Sequence, residues 1–366
     1  MTGHERDGTT PGVPARVRVM LVEDSLVVRQ LLIHIVGRDP RLEVVAAVAS
    51  GEEALATIGQ VRPDVVSMDI RLPGIDGLET TRRIMAERPT PIVVIADAIE
   101  DSSLRISMNA LRAGALSVVE KPVATTNAGY DAAASEICTQ LRIMAAVPVI
   151  RRRPIGSEWA GRVATPPPVA AALKVPESAS VLAIAASTGG PPALARVIGA
   201  LPAGFPLPVL VVQHMGPAFM EGFATWLNGV VGLPVALARE GERAEAGRVY
   251  VAPGDRHLEL GGGGHLRITD AAPVGGQRPA ATALFRSVAR HAGARGIGVL
   301  LTGMGEDGAV GLLDMRRAGG LTVAEDESTA VVFGMPAAAI RLAAAGTVLP
   351  LDRIAAHLAR VAEAAP

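Results

Sequence analysis

Ionisable side chains sit at the ends of apolar runs in this sequence, in an arrangement suited to phosphoryl chemistry. Glu23 and Asp24 follow Val17–Val22, Asp69 follows Val65–Met68, and Lys121, with Pro122 after it, follows Ser117–Glu120. Three carboxylates brought to one edge repel one another. A small hard cation such as Mg²⁺ relieves this by binding one or two of them together with water and phosphate oxygens. A phosphoryl group can then pass to Asp69. Taken alone, any of these acids reads more readily as a helix cap or a solvated turn residue. Placed at successive strand ends with a lysine, the set is far more specific.

A second set is built around a serine. The segment Ala185-Ala186-Ser187-Thr188-Gly189-Gly190-Pro191-Pro192 follows an apolar run and opens a helix pattern. A serine on such a sharp turn is exposed at the sheet edge, and the helix N-terminus offers unpaired N–H groups where an oxyanion develops. Ala185 stands where the G-x-S-x-G form has its first glycine, and a phosphate-cradling turn fits the same residues. A serine hydroxyl needs a base to become a nucleophile. His214, in Gln213-His214-Met215, is the candidate, and His257, in Pro253-Gly254-Asp255-Arg256-His257, competes for the role. Asp307, in the glycine-rich stretch Thr302-Gly303-Met304-Gly305-Glu306-Asp307-Gly308, offers the carboxylate that would orient an imidazole. Singly, a strand-end histidine is most often a satisfied hydrogen-bonding residue and a loop aspartate a turn former. Ser187, His214 and Asp307 each follow a different apolar run, however, so all three can meet at one sheet edge.

The elements that must position these groups follow from hydrophobic periodicity. In the first half, strands are expected at 17–22, 44–48, 65–68, 92–95 and 117–120, alternating with helices over 27–35 (Ser25 as N-cap), 52–58, 78–85 and 104–113. Strict alternation predicts an α/β fold, a doubly wound five-stranded parallel sheet with ligands at its carboxyl edge. From 124 to 177 the pattern weakens into an alanine-rich helix candidate, the basic run Arg151-Arg152-Arg153 and the triple proline at 166–168, which reads as a linker. Strands at 181–185, 209–213, 249–252 and 297–301 then predict a C-terminal α/β domain with a mainly parallel sheet. Glycines at 261–264 turn a hairpin between 258–260 and 266–268. The expected units are 15–125, a linker at 126–177, and 178–362.

Composition excludes several function classes. A chain of 366 residues is long enough for two cores. A net charge of −1 and only 2% aromatic residues provide neither a basic field nor a stacking platform for nucleic acid. With one cysteine, Cys138, there is no intramolecular disulfide and no cysteine-clustered metal site. The chain shows no signal-peptide pattern and no run of about 18 apolar residues, so a cytoplasmic protein without membrane insertion is expected, and a monomer.

Leu21-Val22-Glu23-Asp24-Ser25, Met68-Asp69, Pro73, Asp76-Gly77-Leu78 and Lys121-Pro122 resemble the receiver domains of bacterial response regulators over roughly 17–125. The resemblance implies that Asp69 is the phosphorylated aspartate, that Glu23 and Asp24 help hold Mg²⁺, and that Lys121 pairs with phosphoryl oxygens. Receivers carry Ser or Thr at the end of the fourth strand, where this sequence has Ala96. The chain order Ser, His, Asp differs from that of chymotrypsin, subtilisin and the α/β-hydrolases. It is the order of the chemotaxis protein-glutamate methylesterases, which the chain resembles from about 181 to 358. Ser187-Thr188-Gly189-Gly190, Gln213-His214-Met215, 251–257, Thr302-Gly303-Met304-Gly305, Asp307-Gly308 and Val332-Phe333-Gly334-Met335-Pro336 carry that likeness.

The second resemblance implies hydrolysis of glutamyl γ-methyl esters on methyl-accepting chemoreceptors and deamidation of glutamines at the same sites. It also implies a chemotaxis histidine kinase as phosphodonor and no cofactor for ester hydrolysis. Ser187 is then the nucleophile, His214 the base and Asp307 its orienting group, with Thr188, Gly189 and Met304 as candidate oxyanion donors. Thr282 stands where this family has an aspartate after Arg-Pro, and Gly216-Pro217-Ala218-Phe219 after Met215 also departs from it. With both sites at sheet edges, the first domain is expected to pack over the serine site and restrain it until Asp69 is phosphorylated. Two other readings are an esterase acting on another acyl ester and a phosphorylation-dependent docking module. Binding alone does not require an intact Ser187, His214 and Asp307 set, which argues against the module.

Overall fold

The computed structural model describes residues 16–96, 115, 117–122, 127–147 and 179–363. The helix expected at 104–113, the basic run and the triple proline lie outside these residues. Among the described residues, no helix is long and apolar enough to cross a membrane.

The first unit runs β1 (Val17–Val22), α1 (Leu26–Arg38), β2 (Leu42–Val48), α2 (Gly51–Val61), β3 (Val65–Met68), α3 (Gly77–Glu87), β4 (Ile92–Ala96) and β5 (Ser117–Glu120). Strands β3 and β4 are buried along their whole length, as expected of a parallel sheet covered on both faces. Each helix start has a side-chain cap: Ser25, Ser50 and Asp76 accept from the amides of Val28, Glu53 and Glu79. The five strands are ordered β2-β1-β3-β4-β5. The order reverses at β1, so the carboxyl ends of β1 and β3 open a crevice that receives Glu23, Asp24 and Asp69.

The alanine-rich helix candidate at the head of the expected 126–177 linker is helix α4 (Asn127–Ala145). Ile137, Leu141 and Met144 form a helix-period stripe that buries with Val19, Leu21, Val93 and Ile95 of the sheet. The first packed unit therefore reaches Val147, also buried in that cluster. Alanines around the stripe dilute its signal in the sequence.

The second unit comprises β6 (Val181–Ala186), α5 (Gly190–Gly199), β7 (Val209–Gln213), α6 (Met220–Asn228), β8 (Val235–Leu237), β9 (Val249–Val251), the hairpin β10 (His257–Leu260) and β11 (Leu266–Thr269), α7 (Ala281–His291), β12 (Gly296–Leu300), α8 (Ala309–Arg317), β13 (Leu321–Glu325), α9 (Met335–Arg341), β14 (Thr347–Leu349) and α10 (Leu351–Glu363). Its seven-stranded sheet is ordered β14-β13-β12-β6-β7-β9-β8, with every pairing parallel. The chain enters at β6, in the middle, and lays β7 on one side and β12 on the other. That is a topological switch point, where ligands bind in such sheets.

Alternate residues serve the two faces of this sheet. Leu182, Ile184, Val209 and Val211 pack with Leu194, Val197 and Phe223, while Ala183, Ala185, Leu210 and Val212 pack with Phe285, Val288 and Leu312. Phe285 is fully buried. Replacing it with alanine should destabilise the second unit by about 3–5 kcal/mol. Urea unfolding of the full chain, followed by far-UV circular dichroism, measures this.

Candidate active site and phosphoacceptor pocket

Ser187 leaves β6 on a turn tied down on three sides. Its N–H donates to the Thr302 carbonyl at 2.9 Å, and its carbonyl accepts from Gly190 N at 2.8 Å and from Gln213 Nε2 at 2.8 Å. Gln213 Nε2 also donates to the His214 carbonyl at 2.9 Å, so one carboxamide joins the serine turn to the histidine turn. The approach is close enough that a Cβ at Gly190 would stand 2.0 Å from Gln213 Oε1. Gly189 adopts φ +76°, the left-handed conformation that turns the chain into α5.

The imidazole of His214 meets the carboxylate of Asp307 at 2.9 Å, Nε2 to Oδ2. Asp307 also accepts from Ala281 N (2.7 Å, Oδ2), Thr282 N (3.0 Å, Oδ1) and Gly308 N (2.8 Å, Oδ1). Ala281 and Thr282 open α7, so the carboxylate lies at a helix N-terminus. Burial pushes its pKa upward, but hydrogen bonds and attraction from His214, with bonds from Thr282, outweigh burial and hold it below the usual range. An ionised carboxylate accepts, so Nε2 carries the ring proton and Nδ1 of a neutral imidazole keeps the lone pair.

Ser187, Thr188, Gly189, His214 and Met304 line a common cavity of about 460 Å³. In this conformation no direct hydrogen bond joins the Ser187 hydroxyl to the ring. The amides of Thr188, Gly189 and Met304 have no backbone acceptor among the described residues. His257 is engaged elsewhere: it is buried, its Nδ1 accepts from Ala280 N at 3.1 Å, and its Nε2 lies 3.2 Å from the Ala272 carbonyl. With both ring nitrogens engaged, it is a structural histidine.

In the first unit, oxygens of Glu23, Asp24 and Asp69 lie within 4.8 Å of one another. Lys121 Nζ stands 2.9 Å from Glu23 Oε2 and 3.0 Å from Asp69 Oδ2. Burial, followed by repulsion from Asp69, lifts the Glu23 pKa to about 7 against the pull of Lys121. Burial also raises Asp69, with Lys121 opposing. Burial disfavours the charge on Lys121, but Asp69 and Glu23 together overcome it and raise the ammonium pKa. An all-oxygen donor set with an excess of buried negative charge fits a hard divalent cation. Ala96 ends β4, buried, with its carbonyl accepting from Lys121 N at 2.9 Å. It offers a methyl group where a hydroxyl would stand in a receiver.

The two units meet at the serine cavity, whose far wall is formed by Glu120, Glu136 and Gln140 of the first unit. Gln140 Nε2 donates to Thr188 Oγ1 at 3.4 Å, and Val331 and Val332 of the second unit pack against the first unit's core.

An acidic strand-end cluster on one doubly wound sheet, joined to a second sheet that brings a serine, a histidine and an aspartate to its switch point, is the arrangement of a receiver-linked serine hydrolase. Comparison with known proteins agrees. Residues 182–358 match the CheB methylesterase family and residues 19–128 the response regulator receiver domain. The chain is 53% identical to protein-glutamate methylesterase/protein-glutamine glutaminase 2 of Paramagnetospirillum magneticum, over 94% of this chain and 97% of the other. It is 47% identical to protein-glutamate methylesterase/protein-glutamine glutaminase 3 of Anaeromyxobacter dehalogenans, over 94% of this chain and 98% of that one. The crystal structure of the Thermotoga maritima CheB methylesterase catalytic domain, 38% identical, covers 50% of this chain and 99% of its own, with a TM-score of 0.49. The chain belongs to the CheB family of receiver-linked protein-glutamate methylesterases.

Three contributors to the site escaped sequence reasoning: the α7 amides on Asp307, the clamp made by Gln213, and Glu325. Glu325 ends β13, a strand not anticipated, and is fully buried. Its Oε2 accepts from Thr302 N at 2.8 Å and its Oε1 from Thr329 Oγ1 at 3.0 Å. Thr302 is a hub: besides holding Ser187 N, its hydroxyl donates to the Thr188 carbonyl at 2.9 Å and accepts from Val332 N at 2.9 Å. Glu325 thus positions the strand end that carries both the serine turn and Met304. A buried acid closing an apolar run was the signal available in the sequence.

Burial raises the Glu325 pKa from 4.5 to about 6. The folded-state value lies above the unfolded one, so the stability this group contributes is complete below about pH 4.5 and is lost as pH rises through about 6. Glu325→Gln keeps an acceptor for Thr302 N but cannot ionise. Relative to wild type, this variant should gain about 2 kcal/mol between pH 4.5 and pH 7.5. Urea midpoints at the two pH values test this. Glu325→Ala, which leaves the Thr302 amide without its acceptor, should lose stability by about 1–3 kcal/mol below pH 4.5.

Proposed function

We propose that this chain is a phosphorylation-regulated protein-glutamate methylesterase, removing γ-methyl esters from glutamates of methyl-accepting chemoreceptors and deamidating receptor glutamines. The observation that carries the reading is the 2.9 Å bond from His214 to a buried, ionised Asp307, with Ser187 on the same cavity. In this reading the Ser187 hydroxyl attacks the ester carbonyl while Nδ1 of His214 takes its proton. The charge on the carbonyl oxygen is met by amides of Thr188, Gly189 and Met304, each such donor being worth about 3 kcal/mol. His214 then passes its proton to the departing methanol, or to ammonia from a glutamine, and activates water against the acyl-enzyme. Asp307 holds the ring in one tautomer throughout. Ester hydrolysis runs on these side chains without a cofactor.

Asp69 is the phosphoacceptor, supplied by a chemotaxis histidine kinase. Glu23, Asp24 and Asp69 would hold Mg²⁺, which when bound neutralises charge on the phosphoryl oxygens. Lys121, at 3.0 Å from Asp69, is in reach of the same oxygens. The wall formed by Glu120, Glu136 and Gln140 keeps a receptor helix from the serine cavity, and phosphorylation withdraws it. A non-catalytic docking module would gain nothing from a buried carboxylate committed to an imidazole.

Methanol release from methylated receptor membranes tests this. Wild type should release methanol faster with a small-molecule phosphodonor than without. Ser187→Ala should release none in either state, and Asp69→Ala should keep the basal rate but lose the stimulation. Release that does not depend on Ser187 would overturn the assignment. Asp307→Asn, which removes the charge that fixes the tautomer, should lower kcat by roughly 10³–10⁴-fold with a small change in KM.

A further inference from the structure

The cavity holds a side chain that is itself of the substrate's chemical class. Gln140, carried on α4, is buried to 7% exposure and lines the same cavity as Ser187 and His214. Its Nε2 is oriented by Glu136 Oε1 at 2.7 Å, one helical turn earlier, and donates to Thr188 Oγ1 at 3.4 Å. Its Oε1 is buried and has no donor. A buried carbonyl oxygen without a donor costs about 1–3 kcal/mol, so packing alone does not account for a glutamine here. The unmatched acceptor shares the cavity's surroundings with three amides, those of Thr188, Gly189 and Met304, that have no backbone acceptor. A glutamine projecting from a helix toward a serine hydrolase that acts on helix-borne glutamine and methyl-glutamate side chains has the form of that substrate.

We propose that Gln140 is a resident substrate surrogate: its carboxamide occupies, against Thr188, the entry that a receptor side chain must take. This rests on the esterase reading and deepens it, naming the residue that competes with substrate. The contact is long, so the surrogate acts as a competitor that substrate can displace. It raises KM in the unphosphorylated chain and leaves the acyl-transfer steps alone. Thr188 Oγ1 is the group that receives the amide N–H, and an ester substrate must displace that bond to enter.

The test is methanol release by the full chain against graded methylated receptor, with and without a phosphodonor, for wild type, Gln140→Ala, Thr188→Val and the double variant. Gln140→Ala should lower KM roughly 3- to 10-fold without phosphodonor at unchanged kcat, the size expected for one hydrogen bond and its burial. With phosphodonor, wild type and Gln140→Ala should converge. In the Thr188→Val background, removing Gln140 should have no further effect on KM. An equal fall in KM in both backgrounds would show a general loosening of the interface and overturn the surrogate role, as would an unchanged KM. Absence of Ser187-dependent methanol in wild type would remove the esterase reading and this proposal together, whereas normal methanol release with an unchanged KM removes the proposal alone.

Discussion

A carboxylate taken out of water survives as an anion only if hydrogen bonds replace the lost hydration, and Asp307 receives four of them. Three come from backbone amides and one from His214. Two of the amides belong to the first turn of α7, whose other face is pinned into the sheet by Phe285 and Val288. The orientation of the imidazole is thus inherited from the seating of a helix, and capping α7 and orienting His214 are one act. Thr282 completes the arrangement, its hydroxyl accepting from Gly308 N at 2.9 Å beside Asp307 Oδ1. A second carboxylate at this position would stand next to the first. A neutral hydroxyl holds Gly308 without that repulsion.

The same burial has the opposite electrostatic outcome in the first unit. The side chains of Glu23 and Asp69 are withdrawn from water like that of Asp307, yet their pKa values rise where that of Asp307 falls. The difference lies in the donors. Asp307 is saturated by amides and an imidazole, while Glu23 and Asp69 face each other and share a single ammonium. The esterase carboxylate is complete as it stands. The acidic cluster carries repulsion that a divalent cation would relieve. Both clusters stand where strand order reverses in a parallel sheet, so one topological feature serves two unlike chemistries.

Much of this was legible because strand-end residues inherit their position from runs that cannot be mistaken. β1, β3, β5 and β7 have the bounds their apolar runs predict, and Glu23, Asp69, Lys121 and His214 follow from them. Three strands were not legible. β8 and β14 are three residues long and half-exposed, with too little pattern to count, and β13 carries a threonine and a glutamate in five residues. Losing β13 meant losing Glu325. Helix α4 was legible as an alanine-rich helix candidate but not as part of the first unit, since only the register of Ile137, Leu141 and Met144 against a distant sheet reveals its place. The backbone donors on Asp307 had no side-chain signature at all.

Helix α4 touches both the receiver core and the serine cavity, through adjoining faces. Ile137, Leu141 and Met144 belong to the receiver core, while Ala133, Glu136 and Gln140, on the adjoining helical stripe, line the serine cavity. A shift in the receiver sheet that moves the first stripe must move the second. Among the described residues, the side-chain hydrogen bond that α4 makes to the serine turn is the long one from Gln140 to Thr188. By contrast, the bonds that shape the serine turn, from Gln213, Thr302 and Glu325, all lie within the second unit. Access can therefore change while the catalytic geometry stays intact. This form of control asks of the receiver only a displacement of α4.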